Sequence, residues 1–504
     1  MGIMATITTI ACVGTLISWL SLAIYRVYLH PLRHYPGSKL AVVSNSWWEF
    51  YWNYYRNGEL IFEIERLHNL YGPVIRIGVN DLHVNDPEVF QDLARVTSPF
   101  VKPAKFYQAI SIPGTLIGEL DPARHRLRRK VLSPAFMGDR VHELALDVLE
   151  KTKQLVARFE TASVQSTPIC ITAASKAFTM DIISKIVFGE ELGCVTDPNF
   201  DNEFSRYLEA AFKIGWTATA FPMLSALSLK IASATSTVIF PLPITSLKRK
   251  CLRITTQYIS QSSVQKSPNS RGIARIPVID RLMDPNAVKG HVPPSLDELN
   301  DELVMLLIAG NDTTSTALIF GIYKICTCPV VEQRLTHELI EEFPSLNEEI
   351  TYDRVRKLPY LTATIKEILR LGNPLPGRLP RMVPAEGYYL HGRFLQPGVN
   401  IHTSAYVLNR QPEIWPKPNE FNPDRWTSTH SSRLDKHLAT FYKGPRQCLG
   451  KELAWCELLV AIANIFRRFR IEPYDTTDHD MEWKDLILVV YRKEFLATVE
   501  RRTL

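Results

Sequence analysis

The sequence predicts one large, mainly α-helical domain with a smaller β region, set behind an apolar N-terminal helix. Three observations lead there. The longest periodic stretch, Ser295 to Cys328, is apolar on most sides, as a helix running through a core must be. A second helical pattern, Lys451 to Phe469, comes directly after a short Gly-containing loop. No Gly/Ser-rich linker and no internal repeat divides the 504 residues, although that length alone would allow about two or three domains.

Composition narrows the class. The chain is 46% hydrophobic and 22% charged, which is ordinary for a globular protein. A net charge of +6, scattered along the chain, gives no basis for nucleic acid as a partner. Its eight cysteines (Cys12, Cys170, Cys194, Cys251, Cys326, Cys328, Cys448 and Cys456) show neither zinc spacing nor a disulfide framework. Reduced thiols in a cytosol-facing protein fit that usage.

Taken in order, residues Met4 to Ile24 carry no charge and are long enough as a helix to span one bilayer core. No Lys or Arg precedes them, whereas Arg26, Arg33 and Lys39 come after. That asymmetry argues against a cleaved signal peptide and places the rest of the chain on the cytosolic side. The expected organisation is an anchor over 1–25, a Pro-rich basic hinge over 26–40 and a catalytic domain over 41–504.

Val74 to Val84 alternates about Val79-Asn80-Asp81 and reads as a β-hairpin, and Pro87 opens a short helix. Phe100 to Gly118 reads as a loop rich in aromatic and small residues. Arg124 to Phe136 is the most basic stretch; on a helix His125 and Arg129 stand at i and i+4 and share a face. Arg126, Arg128 and Lys130 point elsewhere, either as a solvated face or as a docking surface for an acidic electron donor. Lys213 to Lys250 is unusually apolar, but its lysines and prolines rule out a second span.

Ser295-Leu-Asp-Glu298 is a capping box that starts the long helix, and Pro329 ends it. Its middle reads Ala309-Gly310-Asn311-Asp312-Thr313-Thr314. Buried Asp and Thr are costly unless paired, and Gly weakens a helix, so local rules are broken together where a working site would break them. Glu367-Ile-Leu-Arg370 places an acid and a base three apart on a helix, a pattern that many exposed helices also show. Pro376 to Pro384 reads as an extended, Pro-constrained strand.

Phe441-Tyr-Lys-Gly-Pro-Arg-Gln-Cys448-Leu-Gly450 is the most specific pattern in the chain: F-x-x-G-x-R-x-C-x-G before a helix. A cysteine at a helix N-terminus sees the positive end of the dipole and unpaired N–H groups, which favour the thiolate. The thiolate is the form that ligates haem iron. Gly444 and Gly450 would allow backbone to approach a flat macrocycle. Arg446 could pair with a haem propionate, and Phe441 could shield the sulfur.

On these motifs, in this order along nearly the whole chain, the sequence resembles the cytochrome P-450 haem-thiolate monooxygenases, and among them fungal microsomal members of the trichodiene-oxygenase-like secondary-metabolism group. The resemblance implies the cytochrome P-450 fold, with the long helix crossing the haem. It implies haem b with Cys448 as axial thiolate, and propionate contacts from His125, Arg129, Arg381 and Arg446. The family usually has Trp where His125 stands, a departure common in its fungal members. The A-G-x-D-T-T run implies that Gly310, beside Ala309, makes room for dioxygen, that Thr313 hydrogen-bonds it, and that Asp312 relays protons from water. Glu367, Arg370 and Arg425 would form a buried structural triad. Phe100 to Gly118 would roof the substrate pocket, and Lys213 to Lys250 would be either a buried core helix or a mobile lid over the substrate channel, touching membrane lipid in its Trp216 to Leu242 part.

The implied activity is a monooxygenase of the endoplasmic reticulum membrane. It would hydroxylate or epoxidise an apolar terpenoid or polyketide-derived intermediate, with O2 as co-substrate. Electrons would come from NADPH through a separate flavoprotein reductase, with cytochrome b5 as a further donor. The chain itself shows no G-x-G-x-x-G on a βαβ unit and so no dinucleotide site of its own. Two other classes stay open: a haem-thiolate isomerase or dehydratase needing no reductase, against which Asp312-Thr313 argues, and a membrane-tethered haem protein acting by binding alone.

Overall fold

The computed structural model describes residues 2–138, 140–201, 204, 206–207, 210, 216, 220–221, 243–264, 276–427 and 431–503. The expected lid segment therefore lies largely outside the described residues.

The expected long helix is Leu296–Cys326, hereafter the central helix. Ser295 and Glu298 form the reciprocal capping box, and the helix stops at Thr327, just before Pro329 opens the next one. It is buried on almost every side and packs on Ile171–Phe188, Pro243–Val264, Pro359–Gly372 and Lys451–Arg468, with one continuous apolar core between them. By length and apolarity it could also cross a membrane, but 67% of its most apolar window is buried inside the protein, which makes it a core helix.

The β region is small. Val74–Arg76 (β1) and Asp81–Val84 (β2) form the expected hairpin; β2 runs parallel to Asn400–Ser404, and that strand pairs antiparallel with Arg378–Met382. Numbering these last two in chain order, Arg378–Met382 is β3 and Asn400–Ser404 is β4, so the sheet order is β1-β2-β4-β3. Period-two alternation sends Arg378 and Arg381 to opposite faces of β3. A three-stranded sheet (Ile169–Cys170, Leu496–Arg501, Phe469–Pro473) and two hairpins complete the β structure among the described residues.

Gly2–Ile24 is a helix exposed along its length, and the apolar run continues to Leu29. At about 1.5 Å per residue, a run of this length spans a hydrocarbon core of about 30 Å. The proline-rich segment after it is clasped to the sheet. Arg76 is buried; its guanidinium donates to the carbonyls of Gly78 (3.1 Å), Val79 (2.8 Å) and Arg26 (2.9 Å), while its own N–H donates to Pro36 O at 2.7 Å. Arg26 in turn donates to Val43 O at 2.5 Å. The segment is thus a strap docked at its Arg26 and Pro36 ends.

Candidate functional site

The cysteine loop is shaped by its backbone. Gly444 has φ +64°, and a Cβ there would lie 1.7 Å from Ala94 O, so only glycine fits. Gln447 N donates to Gly444 O at 3.0 Å and Cys448 N to Phe441 O at 2.9 Å, closing the loop just before the helix Lys451–Arg468. Gly450 is the N-cap residue. Arg129, on the basic helix Pro122–Leu132, donates to Gln447 O at 2.6 Å and staples that helix to the loop.

Cys448 is exposed by area yet enclosed by the fold, as a group lining an internal space would be. Burial pushes its thiol pKa up; the Gly450 N–H and the charges of Arg129 and Lys451 pull it down without winning. A bound metal ion would deprotonate it outright, because a coordinating thiol binds as the thiolate.

The central helix contributes a notch. From Glu302 to Ile319 every residue is buried except Ala309, Gly310 and Thr313, which share one face. Thr313 donates its hydroxyl proton to Ala309 O at 2.6 Å and keeps its lone pairs for an incoming donor. Asp312 and Thr314 are buried beside it. Gly310 also answers a packing demand from the neighbouring helix. A Cβ there would lie 2.5 Å from Ile183 Cγ1, so the missing side chain makes room for the neighbouring helix, and only its backbone borders the notch. Glu457, on the cysteine helix, is buried near Thr314; burial raises its carboxyl to about 8, against the lowering effect of the Thr314 hydroxyl.

Beside these elements, basic groups crowd together. His125 is pushed down to about 3 by burial and then by the charges of Arg446, Lys102, Arg129 and Arg381. Lys102, nine-tenths buried, is pushed down to about 6 by burial and by Arg446 and Arg381, with Glu119 opposing. Lys102 donates to Ile117 O at 2.6 Å, Arg446 to Glu119 O at 2.8 Å, and Arg381 to the Tyr107 hydroxyl at 2.5 Å. None of these three contacts supplies a counter-charge. A cluster of cations held beside an exposed sulfur fits a flat metallocycle carrying carboxylates, which is haem b.

A second charge cluster sits at Glu367. Arg370 meets it through two bonds (Nε–Oε2 2.8 Å, Nη2–Oε1 2.7 Å), and Arg425 Nε (3.0 Å), Trp426 Nε1 (2.9 Å) and Asn422 N (3.0 Å) also donate to it. Burial pushes the Glu367 carboxyl up, but Arg370, Arg425 and the Asn422 N–H outweigh it and hold it below its ordinary value. Arg378 is paired with Glu49 at 2.6 Å, away from the cation cluster.

The cytochrome P450 family model matches residues 44–498. The chain belongs to this family. It is 54% identical over 435 residues to a cytochrome P-450 monooxygenase of Alternaria solani, covering 86% of this chain and 93% of that one. It is 32% identical over 494 residues to a cytochrome P-450 monooxygenase of Penicillium terrestre (95% and 94% covered). Over 496 residues it is 30% identical to a tryptophan 6-hydroxylase of Fusarium equiseti (96% and 94%). The protein is thus a cytochrome P-450 monooxygenase, and the family implies haem iron on a cysteine thiolate with dioxygen as co-substrate.

Within this P-450 the fold gathers His125, Arg129, Arg381 and Arg446 into one cluster and sets Glu367, Arg370 and Arg425 in another. Arg128 is not part of the exposed basic face; it turns inward to Glu302 at 3.1 Å, leaving Arg124, Arg126 and Lys130 outside. Sequence reasoning missed Lys102 and Glu457. Each carried a signal: Lys102 is a lone charge between Val101 and Pro103 in an aromatic loop, and Glu457 a lone acid inside an apolar helical run.

Proposed function

We propose that this P-450 is a single-pass protein of the endoplasmic reticulum membrane that oxygenates an apolar small molecule of fungal secondary metabolism, terpenoid or polyketide-derived. Electrons would come from NADPH through a separate flavoprotein reductase, with cytochrome b5 as a second donor. The notch at Ala309, Gly310 and Thr313, cut into an otherwise buried helix, is the observation that carries this reading. Haem bound through Cys448 supplies dioxygen activation and an electron-rich thiolate. His125, Arg129, Arg381, Arg446 and Lys102 hold its carboxylates. Phe441 and Leu449 pack on the core beside the sulfur and help keep water from it. Thr313, its own proton given to Ala309 O, accepts a hydrogen bond in the notch and orients it; Asp312 passes protons inward from water.

The test is Thr313→Ala in full-length protein with reductase. Haem binding and reduction should persist. Product formation should fall on the order of 100-fold to 1000-fold, by analogy with other preorganised catalytic hydrogen bonds. NADPH consumption should continue, with hydrogen peroxide accumulating in place of product. Unchanged product per NADPH would remove Thr313 from proton handling. Turnover by the wild type without NADPH would favour the isomerase or dehydratase class.

A further inference from the structure

The loop from Ile112 to Glu119 is a self-contained knot. Thr115 Oγ donates to Ile112 O at 2.7 Å and accepts from Gly118 N at 3.2 Å, and Glu119 N donates to Thr115 O at 2.8 Å. Two of its outward ties, Lys102 to Ile117 O and Arg446 to Glu119 O, reach the cation cluster. The third reaches the central helix. Both carboxylate oxygens of Glu302 accept from the Leu116 N–H at 3.0 Å, and Arg128 of the basic helix donates to Oε2 at 3.1 Å. Among the described residues this is the one hydrogen-bonded link between that loop and that helix. Glu302 is only 2% exposed, and burial raises its carboxyl pKa against the lowering effect of Arg128 and the Leu116 N–H. A buried carboxylate is an expensive way to fill space, and an apolar side chain would pack there at less cost. Glu302 precedes Ala309 by seven residues, about 10 Å along the helix axis.

We propose that Glu302 is a positioning residue that latches the Ile112–Glu119 loop onto the central helix and so limits how large a molecule can reach the notch. Through Arg128 it also fixes the helix that carries His125 and Arg129, so roof and cofactor cradle share one fastening. The inference rests on reading the space beside Cys448 and the notch as the haem and substrate site.

The test uses haem-loaded, full-length protein and two probes that ligate ferric iron, imidazole and a bulky N-aryl imidazole, monitored by the Soret shift. Glu302→Ala should raise both association and dissociation rates of the bulky azole by roughly tenfold, the scale of one lost charge-assisted hydrogen bond. Imidazole rates should stay unchanged. Amide exchange over 112–119 should accelerate while 303–319 stays protected. Equal changes for both azoles, or faster exchange throughout the central helix, would mean general loosening and would overturn the latch. So would unchanged loop exchange. If Glu302→Ala does not hold haem, Glu302→Gln decides alone: it keeps the shape but weakens the Arg128 and Leu116 bonds, and unaltered loop exchange in it rejects the proposal. Failure of the wild type to bind imidazole at iron would instead reject the underlying site reading.

Discussion

Around Glu367, one carboxylate is shared by two arginines, an indole N–H and a backbone N–H, and Arg370's remaining donors end on the carbonyls of Asn409 (2.8 Å), Pro418 (2.6 Å) and Glu420 (3.2 Å). Around Lys102, His125, Arg129, Arg381 and Arg446, basic groups face one another, and Glu119 is the acid that opposes them at Lys102. Both clusters are largely buried. The first is closed on its own protein partners; the second is held together by backbone carbonyls and tyrosines that satisfy hydrogen bonds but not charge. A protein can retain the first for structure alone. The second makes electrostatic sense only with an outside anion.

The largest way to break this contrast is to remove what the open cluster is built beside. Cys448→Ser replaces a soft thiolate with a weak hydroxyl ligand. The red-shifted Soret band of the ferrous–CO complex and all turnover should be lost, with secondary structure kept. If the thiolate-type band survived, another ligand would have to be sought, with buried Cys456 the first thiol to examine.

Next in size is the closed cluster. Glu367→Ala strands Arg370 and Arg425 without their carboxylate, and such a break costs about 3–5 kcal/mol. The variant should express poorly and lose cooperative unfolding, whether or not haem is supplied. A Tm within a few degrees of wild type would show that the triad is not a closed structural unit.

Lys102→Met should act the other way. Removing one of several repelling cations should leave the haem-free chain as stable or more so, while haem transfer to an acceptor globin accelerates roughly tenfold, by the ~1.5 kcal/mol of one charge-assisted contact. A variant that destabilises the haem-free form and leaves haem retention unchanged would place Lys102 outside the cradle.

The remaining effect is in pH. Lys102 has a folded pKa of about 6 without an anion, well below that of an unfolded lysine. Between about pH 6 and pH 10 the unfolded chain then binds more protons than the folded one, so haem-free stability rises with pH across that window. With haem carboxylates present Lys102 stays charged, and that slope should vanish. Haem loading near pH 8 should then take up a proton at Lys102 while the Cys448 thiol releases one, so the Lys102 share is the difference between wild type and Lys102→Met, measurable by calorimetry in buffers of different ionisation enthalpy. Identical pH slopes with and without haem would refute this.

What the sequence made legible is what neighbours in sequence decide. The capping box and Pro329 placed the central helix to within two residues, and alternation about Asn80 placed the β1–β2 hairpin. The Phe441 to Gly450 pattern identified the loop because its geometry is local, fixed by Gly444 and by hydrogen bonds inside the loop. Lys102, Glu302 and Arg128 escaped because their meaning depends on partners roughly 170 to 190 positions away or on charges brought in from three separate segments. Gly310 was noticed for the right reason, a broken helix rule, but the occupant of the space, Ile183, comes from a helix whose sequence says nothing about it.

The clasp at Arg76 changes how the N-terminus should be pictured. If the N-terminal helix sits in a bilayer, a slack tether would let the catalytic body tumble beneath it; the Arg26 carbonyl gripped by the buried Arg76 guanidinium would make that helix a keel instead. The attitude of the enzyme would then be geared to helical phase: one residue inserted just before Arg26 would rotate the exposed N-terminal helix by about 100° about its axis relative to the clasp. It would do so without touching a single residue of the haem site.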